Sequence, residues 1–152
     1  MPVNVVAPYV LIALLHRPQR LVYLSSSMHR GGRASLTGMD WSGHRTTGSY
    51  SDSKLFVTTL AIAVARTWTD AFSNALDPGS VPTTAARERP TIDGSGTSPR
   101  NGWPPATIRK HAPPAATWHH QRRAEPAPSV HDQRFPDQLL EDLASFTDMR
   151  LV

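Results

Sequence analysis

The sequence of 152 residues contains no cysteine, so disulfide bridges and thiolate-ligated metal sites are excluded. Aromatic residues make up only 7% of the chain and hydrophobic residues 39%. This suffices for one modest core, although the chain as a whole is poor in hydrophobic residues. A chain without cysteine fits a reducing compartment. We therefore expect a cytoplasmic protein with one partial globular region.

The sequence also lacks a hydrophobic run long enough to cross a bilayer. Its longest apolar stretch, residues 3–15, is closed by His16, Arg17 and Pro18. This stretch is too short for a membrane span, and it has neither the basic start nor the small-residue cleavage site of a signal peptide. A buried helix is expected here, and no membrane partner.

The sequence also disfavours a nucleic-acid partner and a metal site. The net charge is +4, but the 16 Lys and Arg residues are scattered and form no basic stripe interleaved with aromatic side chains, so no nucleic-acid partner is expected. His119 and His120 are adjacent and would point apart on a strand. Without cysteine or a His-Glu-x-x-His pattern they predict no metal site.

The most informative absence is a glycine pattern. A site for a dinucleotide needs a strand, a glycine-rich turn and a helix N-terminus that binds the pyrophosphate. The short sequence Gly94-Ser95-Gly96 follows no predicted strand and opens no predicted helix. No such site is therefore predicted within these 152 residues.

A phenol and an ammonium group are present at a spacing that suits proton transfer. Tyr50 and Lys54 are four residues apart and open an apolar run with helical spacing that continues to about Thr67, so both should project from one face of one helix. A cation beside a phenol favours the phenolate form and lowers the pKa of the phenol. Such a pair can act as an acid or base near neutral pH.

Two predicted strands flank this helix in the sequence. Arg20–Leu24 reads as a short buried strand that delivers Ser25, Ser26 and Ser27 to the carboxyl edge of a sheet, where ligands bind in open α/β folds. The three serines could also simply form a turn, and for Ser25 and Ser27 this is the expected role. Residues 71–76 read as the next strand, which a turn at Pro78 and Gly79 ends. Residues 28–48 should form an extended loop.

Three motifs in this order resemble the short-chain dehydrogenase/reductases. They are Ser25-Ser26 after a strand, Tyr50-x-x-x-Lys54, and Pro78-Gly79-x-Val81-x-Thr83. The resemblance is continuous over residues 3–83 and resumes near Trp118. It implies an α/β fold, specifically the C-terminal part of a Rossmann-like doubly wound parallel sheet. The glycine-rich half of that sheet is missing here, so the chain is expected to be an N-terminally truncated member.

The resemblance also implies roles for individual residues. Tyr50 would exchange the proton and Ser26 would orient the carbonyl, while Lys54 would lower the tyrosine pKa and Asn4 would complete a proton relay. Taken alone, Asn4 is better explained as a helix cap or a solvated polar residue, and its register with the later motifs is what favours the relay. The implied cofactor-binding residues are Tyr50, Lys54, Pro78, Gly79, Val81 and Thr83. On spacing alone, Thr83 is a loop threonine.

The activity implied by the resemblance is hydride transfer between a nicotinamide cofactor, NAD or NADP, and a small-molecule alcohol or carbonyl substrate. In the family the helices that correspond to those of Asn4 and Tyr50 pair between subunits, which implies a homodimer. An ordinary core helix is an equal alternative for the helix of Tyr50. The missing glycine-rich half leaves activity of this chain impaired or in doubt. The alternatives are an inactive fragment and a non-enzymatic dimerising module.

After Thr83 the composition changes. Residues 84–117 hold six of the 14 prolines and only three large apolar side chains, too few to offset the entropy of ordering them, so this segment is predicted to be disordered. The expected organisation is a partial core at 1–83, the segment 84–117, and a C-terminal strand and helix at 118–152. The amphipathic stretch 136–146 is the predicted helix, with Leu139, Leu140, Leu143 and Phe146 on one side.

The origin of the proline-rich segment is itself open to a hypothesis. Back-translation of residues 104–117 with GC-rich codons, read in another frame, yields a peptide that resembles the stretch some family members carry before the position of Trp118. Two compensating frameshifts, biological or from sequencing, would explain the altered composition near residues 84–117.

Overall fold

The computed structural model describes residues 1–79, 115–119 and 122–151. These residues form a mixed α/β structure with one four-stranded sheet and three α-helices. The strands are β1 (Arg20–Leu24), β2 (Phe72–Asp77), β3 (Ala115–His119) and β4 (Arg122–Ala124). The helices are α1 (Ala7–Leu14), α2 (Tyr50–Thr67) and α3 (Arg134–Thr147). One π-helical turn, Pro2–Val6, precedes α1, and 3₁₀ turns lie at Ser27–Gly31 and Pro128–Val130.

The sheet has the order β1-β2-β3-β4. The pairs β1–β2 and β2–β3 are parallel, and β4 is antiparallel to β3. The first strand lies where the sequence predicted it, and β2 begins and ends one residue later than predicted. Parallel neighbours need a long crossover connection, and between β1 and β2 this connection contains α2.

Helix α2 has the predicted bounds. It begins with a capping box in which the Ser49 hydroxyl accepts from the Asp52 backbone N–H at 3.1 Å, while the Asp52 carboxylate accepts from the Ser49 N–H at 2.8 Å. The helix packs on the sheet face that carries Tyr23, and the Ser73 hydroxyl donates to the Ala61 carbonyl across this contact at 2.6 Å. Residues 55–61 of α2 are all buried, so this helix forms the centre of the core.

Asp52 also holds the long loop against α2. Its side chain, only 3% exposed, accepts from the Arg33 backbone N–H at 2.7 Å in addition to its capping bond. Burial raises the pKa of this carboxyl, but the hydrogen bonds from Arg33 and Ser49 and the charge of Arg33 outweigh burial, so the pKa is lowered overall. The ionised carboxylate is therefore the form that stabilises the fold.

We expect Asp52→Asn to lower the free energy of unfolding near pH 7 by about 1.5–3 kcal/mol, the usual worth of hydrogen bonds to a charged group. The pKa of Asp52 is lower in the folded protein than in the unfolded chain. Its contribution to the free energy of unfolding is therefore complete above the pKa of an unfolded aspartate, about 3.9, and is lost as the pH falls through the lower folded pKa. Urea unfolding as a function of pH measures both effects. The exposed control Asp70→Asn should change stability by less than about 0.5 kcal/mol. Equal losses in the two variants would refute this role of Asp52.

Three burial predictions need correction. In β1 only Tyr23 is buried, while Val22 and Leu24 are exposed, because α2 covers one face of this strand. The stretch 3–15 is helical but buried along one side only. In α3, Leu139 and Leu143 are fully buried as predicted, but Phe146, in the last helical turn, is 46% exposed.

The predicted disordered segment, residues 84–117, lies outside the described residues up to position 114. Its last three residues, Ala115 to Thr117, belong to β3, so this strand begins earlier than the predicted boundary at 118. Within the ranges that the structure describes, no helix is long and apolar enough to cross a membrane.

Candidate functional site at the carboxyl edge of the sheet

The first turn of α2 brings Tyr50 and Lys54 together, as their spacing predicts. The Lys54 ammonium nitrogen lies 5.4 Å from the centre of the Tyr50 ring, and it donates a hydrogen bond of 2.9 Å to the Leu24 carbonyl at the end of β1. The Tyr50 side chain is exposed, so its hydroxyl can meet a ligand. Burial lowers the pKa of Lys54. The pair is thus anchored to the strand that leads to the serine cluster, Ser25, Ser26 and Ser27.

Asn4 lies in the π-helical turn that precedes α1, a conformation found frequently at functional sites. Its side-chain amide donates to the Ser53 hydroxyl at 3.1 Å, and Ser53 in turn donates to the Tyr50 carbonyl at 2.7 Å. The structure therefore connects Asn4 to the turn that carries Tyr50 and Lys54.

The serine cluster divides into two roles. Ser25 is buried and its oxygen lies 2.6 Å from the Thr58 hydroxyl. Thr58 donates its single proton to the Lys54 carbonyl at 2.7 Å, so Ser25 must be the donor to Thr58. Ser25 therefore ties the end of β1 to α2, a role that its interpretation as a turn residue missed. Ser26 accepts from the Met28 N–H at 3.3 Å.

Asp77, at the end of β2, organises the same edge and was not identified from the sequence. Its carboxylate accepts from the backbone N–H groups of Ser27 at 2.8 Å and Gly79 at 2.9 Å, and lies 2.9 Å from Nδ1 of His119. Burial raises the pKa of Asp77, but the bonds from Gly79 and Ser27 and the interaction with His119 outweigh burial and lower it overall. An acidic residue directly before Pro78-Gly79 was the available signal.

The turn after Asp77 has the backbone that its sequence requires. Gly79 has φ of +71°, a conformation that side chains other than glycine rarely adopt. Of the predicted cofactor residues, Pro78 and Gly79 thus lie at the carboxyl edge of the sheet beside Asp77, whereas Val81 and Thr83 lie outside the described residues.

A cleft of about 80 Å³ opens at this edge, lined by residues that include Ser27, His29, Asp77, Trp118 and His119. Pockets for drug-sized ligands are typically about 300–1,000 Å³, so the cleft is too small for a whole dinucleotide. In the part of the chain that the structure describes, no strand leads directly through a glycine-rich turn into a helix. These residues therefore do not fit a complete nicotinamide dinucleotide. The same ranges contain no group of three or more residues placed to hold a metal ion.

Comparison with known proteins gives three curated relatives. The chain is 36% identical over 89 residues to a short-chain dehydrogenase of Gibberella zeae, a match that covers 55% of this chain and 34% of that protein. It is 35% identical over 86 residues to a short-chain dehydrogenase of Penicillium rubens, with 53% and 33% covered. It is 41% identical over 83 residues to an uncharacterized oxidoreductase of Emericella nidulans, with 53% and 31% covered.

These relatives support a short-chain dehydrogenase-like family. The printed names of the same relatives support an oxidoreductase family. The chain spans about a third of the length of these curated relatives. No protein-family model matches it.

A solved structure resembles the fold. The crystal structure of an uncharacterized protein from Mycobacterium paratuberculosis matches 98% of this chain and 58% of its own, with a TM-score of 0.66 and 18% sequence identity. At this identity the likeness shows the fold alone. It establishes that the arrangement of strands and helices described here occurs within a longer chain.

Proposed function

We propose that this chain carries the acid/base part of an oxidoreductase of the short-chain dehydrogenase/reductase type. The reaction would be hydride transfer between a nicotinamide cofactor, NAD or NADP, and a small-molecule alcohol or carbonyl compound. The observation that carries the proposal is the Lys54 ammonium group, which lies beside the Tyr50 ring and is held there by the Leu24 carbonyl. We further infer a cytoplasmic location from the absence of cysteine.

In this proposal the residues of the chain transfer one proton to or from the substrate oxygen. The Tyr50 hydroxyl donates a proton to the substrate oxygen during carbonyl reduction and removes it during alcohol oxidation. The Ser26 hydroxyl donates a hydrogen bond to the same oxygen and orients it. The positive charge of Lys54 stabilises the tyrosine anion left after donation. Asn4, joined to this turn through Ser53, would complete the path by which the proton is replaced.

The fold proposed for this chain is the C-terminal part of a Rossmann-like doubly wound sheet. Three strands, β1, β2 and β3, are parallel and adjacent, and α2 packs on one face of them. Ser26, Pro78 and Gly79 follow the carboxyl ends of β1 and β2, where open α/β sheets bind ligands, and Lys54 of α2 reaches the Leu24 carbonyl at the end of β1. Since the described residues do not fit a whole dinucleotide, we expect activity of the isolated chain to be impaired.

A chimera tests the proposal directly. The segment of the Gibberella zeae relative that matches this chain is replaced by the corresponding residues of this chain, and NADH- and NADPH-dependent reduction of a panel of aldehydes, ketones and quinones is followed by absorbance. We expect the chimera to reduce any substrate that the parent relative reduces, while the isolated chain shows no saturable cofactor binding by fluorescence. A folded chimera that binds cofactor but reduces none of these substrates would contradict the proposal. Tight cofactor binding by the isolated chain would contradict the expected impairment.

A specific observation favours a second candidate function, a non-enzymatic dimerising module. Along one side of the first helical region, Val3, Leu11 and Leu14 are 81%, 61% and 64% exposed. Residues 55–61 of α2 are already covered by this chain, so a homodimer through the predicted helices would use this side of α1. Multi-angle light scattering of wild type and Leu11→Glu tests this module, which predicts a defined dimer that the charge disrupts. Because the resemblance to the dehydrogenases also implies a homodimer, the reductase activity of the chimera is what separates the two candidates.

The frameshift hypothesis for residues 84–117 is proposed separately from the function. It rests on the composition of that segment and is decided by the nucleotide sequence alone. If the alternative frame across codons 104–117 encodes no peptide that resembles the family, the hypothesis fails.

A further inference from the structure

His29 is a buried histidine that the proposed proton transfer does not use. It lies in the 3₁₀ turn that follows Ser26, and its residue is only 4% exposed. Both ring nitrogens have main-chain partners. Nδ1 lies 2.6 Å from the Ser26 carbonyl oxygen, and Nε2 lies 3.2 Å from the backbone nitrogen of Ala127, which is 98 positions later in the sequence.

These two partners select one form of the ring. A carbonyl oxygen can only accept, so Nδ1 must carry a proton. A backbone N–H can only donate, so Nε2 must present a lone pair. The neutral Nδ1–H tautomer is the only form that satisfies both contacts, since a doubly protonated ring would place an N–H against the Ala127 N–H.

The electrostatic surroundings agree with a neutral ring. Burial lowers the pKa of His29, the Ser26 carbonyl raises it, the Arg30 charge lowers it and the Asp77 charge raises it, and the net direction is downward. His119, which faces the same cleft, is the other titratable ring among its lining residues.

The contacts of His29 also determine the geometry of the residue before the turn. The Ser26 carbonyl accepts twice from His29, once from Nδ1 and once from the backbone N–H at 3.0 Å. The Ser26 hydroxyl oxygen accepts from the Met28 N–H, so both polar ends of Ser26 are held by the turn. Next to His29, the Arg30 guanidinium donates to the Glu125 carbonyl at 2.8 Å, so two consecutive side chains bind the same C-terminal segment.

We propose that His29 is a positioning residue that fixes Ser26 through Nδ1 and couples it, through Nε2, to the main chain at Ala127. The importance of Ser26 rests on the function proposed above, whereas the coupling itself rests on the two ring contacts. The segment between β4 and α3, far away in sequence, thereby becomes part of the support of the site. Loss of the Nδ1 contact should loosen Ser26, and loss of the Nε2 contact should loosen the main chain at Ala127.

Two substitutions separate the contacts. Asn can place an amide N–H near the position of Nδ1 but reaches no further, so His29→Asn keeps the donor to Ser26 and loses the acceptor for Ala127. Gln can place its carbonyl oxygen near the position of Nε2, so His29→Gln keeps the acceptor and loses the donor. The exposed His16→Gln is the matched control.

NMR on the chain of 152 residues gives the readouts. In the wild type, nitrogen shifts of the His29 ring should show the Nδ1–H tautomer. We expect amide exchange at Ala127 to accelerate at least tenfold in His29→Asn and to stay within twofold of wild type in His29→Gln. The carbonyl carbon shift of Ser26 should change in His29→Gln and be retained in His29→Asn. His16→Gln should change neither signal.

Each result bears on the proposal without requiring enzymatic activity. An Nε2–H tautomer or a doubly protonated His29 ring near pH 7 in the wild type overturns it, even if neither variant folds. Parallel changes at Ser26 and Ala127 in both variants overturn it as well, since a merely structural side chain predicts no crossed pattern. An inactive chimera with the crossed pattern intact would instead reject the proposed function and leave the coupling established.

Discussion

Replacing Phe56 by alanine is expected to lower the free energy of unfolding by about 3–5 kcal/mol, the usual cost of removing a buried phenylalanine ring. Phe56 has no exposed surface. Its ring centre lies 6.0 Å from that of Trp41 in the long loop and 5.8 Å from that of Phe135 in α3, and both pairs are tilted. Such aromatic pairs stabilise a fold beyond the effect of the buried area alone.

The loss should affect three parts of the chain at once, because Phe56 in α2 joins the loop before this helix to the C-terminal helix. Small domains are stable by only about 5–15 kcal/mol, so this single change would leave the protein close to unfolding. Urea unfolding followed by tryptophan fluorescence and by circular dichroism measures the effect. The control is Phe146→Ala in α3, where the ring is 46% exposed and the expected cost is below about 1 kcal/mol. Similar losses in the two variants would show that Phe56 is not the centre of the core.

The second large effect concerns the proposed chemistry. In the active chimera, Tyr50→Phe should reduce the rate of carbonyl reduction by about 10²–10⁴-fold, the usual contribution of a general acid or base. The change removes one oxygen from an exposed side chain, so the unfolding free energy should remain within about 0.5 kcal/mol of the parent chimera. Steady-state rates with NADH or NADPH, together with thermal unfolding, test both expectations.

Tyr9→Phe provides a matched control, because it removes the same atom elsewhere. The Tyr9 hydroxyl donates to the Met149 carbonyl at 2.8 Å, so the control should cost about 1 kcal/mol of stability and leave the rate unchanged. A Tyr50→Phe chimera with the rate of its parent would eliminate Tyr50 as the acid or base. A rate loss shared by both variants would point to damage to the fold and not to lost proton transfer.

Much of the candidate site follows from local sequence. The spacing of Tyr50 and Lys54 and the apolar run after them predicted both the bounds of α2 and the proximity of the two side chains, since helical geometry places residues four apart on one face. The strand before Ser25 was equally predictable, because an apolar run between a proline and polar residues has few alternatives. The roles of Asn4, Ser26, Tyr50 and Lys54 remain predictions.

Other parts of the site could not be predicted from local patterns. The sequence suggested that Ser25 belongs to a turn, whereas the fold places it against Thr58, 33 positions later. Similarly, nothing near Asp77 indicates that His119, on the next strand, will lie 2.9 Å away. The partial burial of β1 also depends on which face α2 covers, which periodicity in a five-residue strand does not reveal.

The helix that carries the candidate acid/base pair, the strands on either side of it and the resemblance to the short-chain dehydrogenases could all be read from the sequence, because each depends on residues close together in the chain. Folding was needed to reveal the contacts of Asp77 with Ser27 and His119 and the contact of His29 with Ala127. The partners in these three contacts are 42 to 98 positions apart, and a hydrogen bond between such distant residues forms only once packing has brought them within about 3 Å.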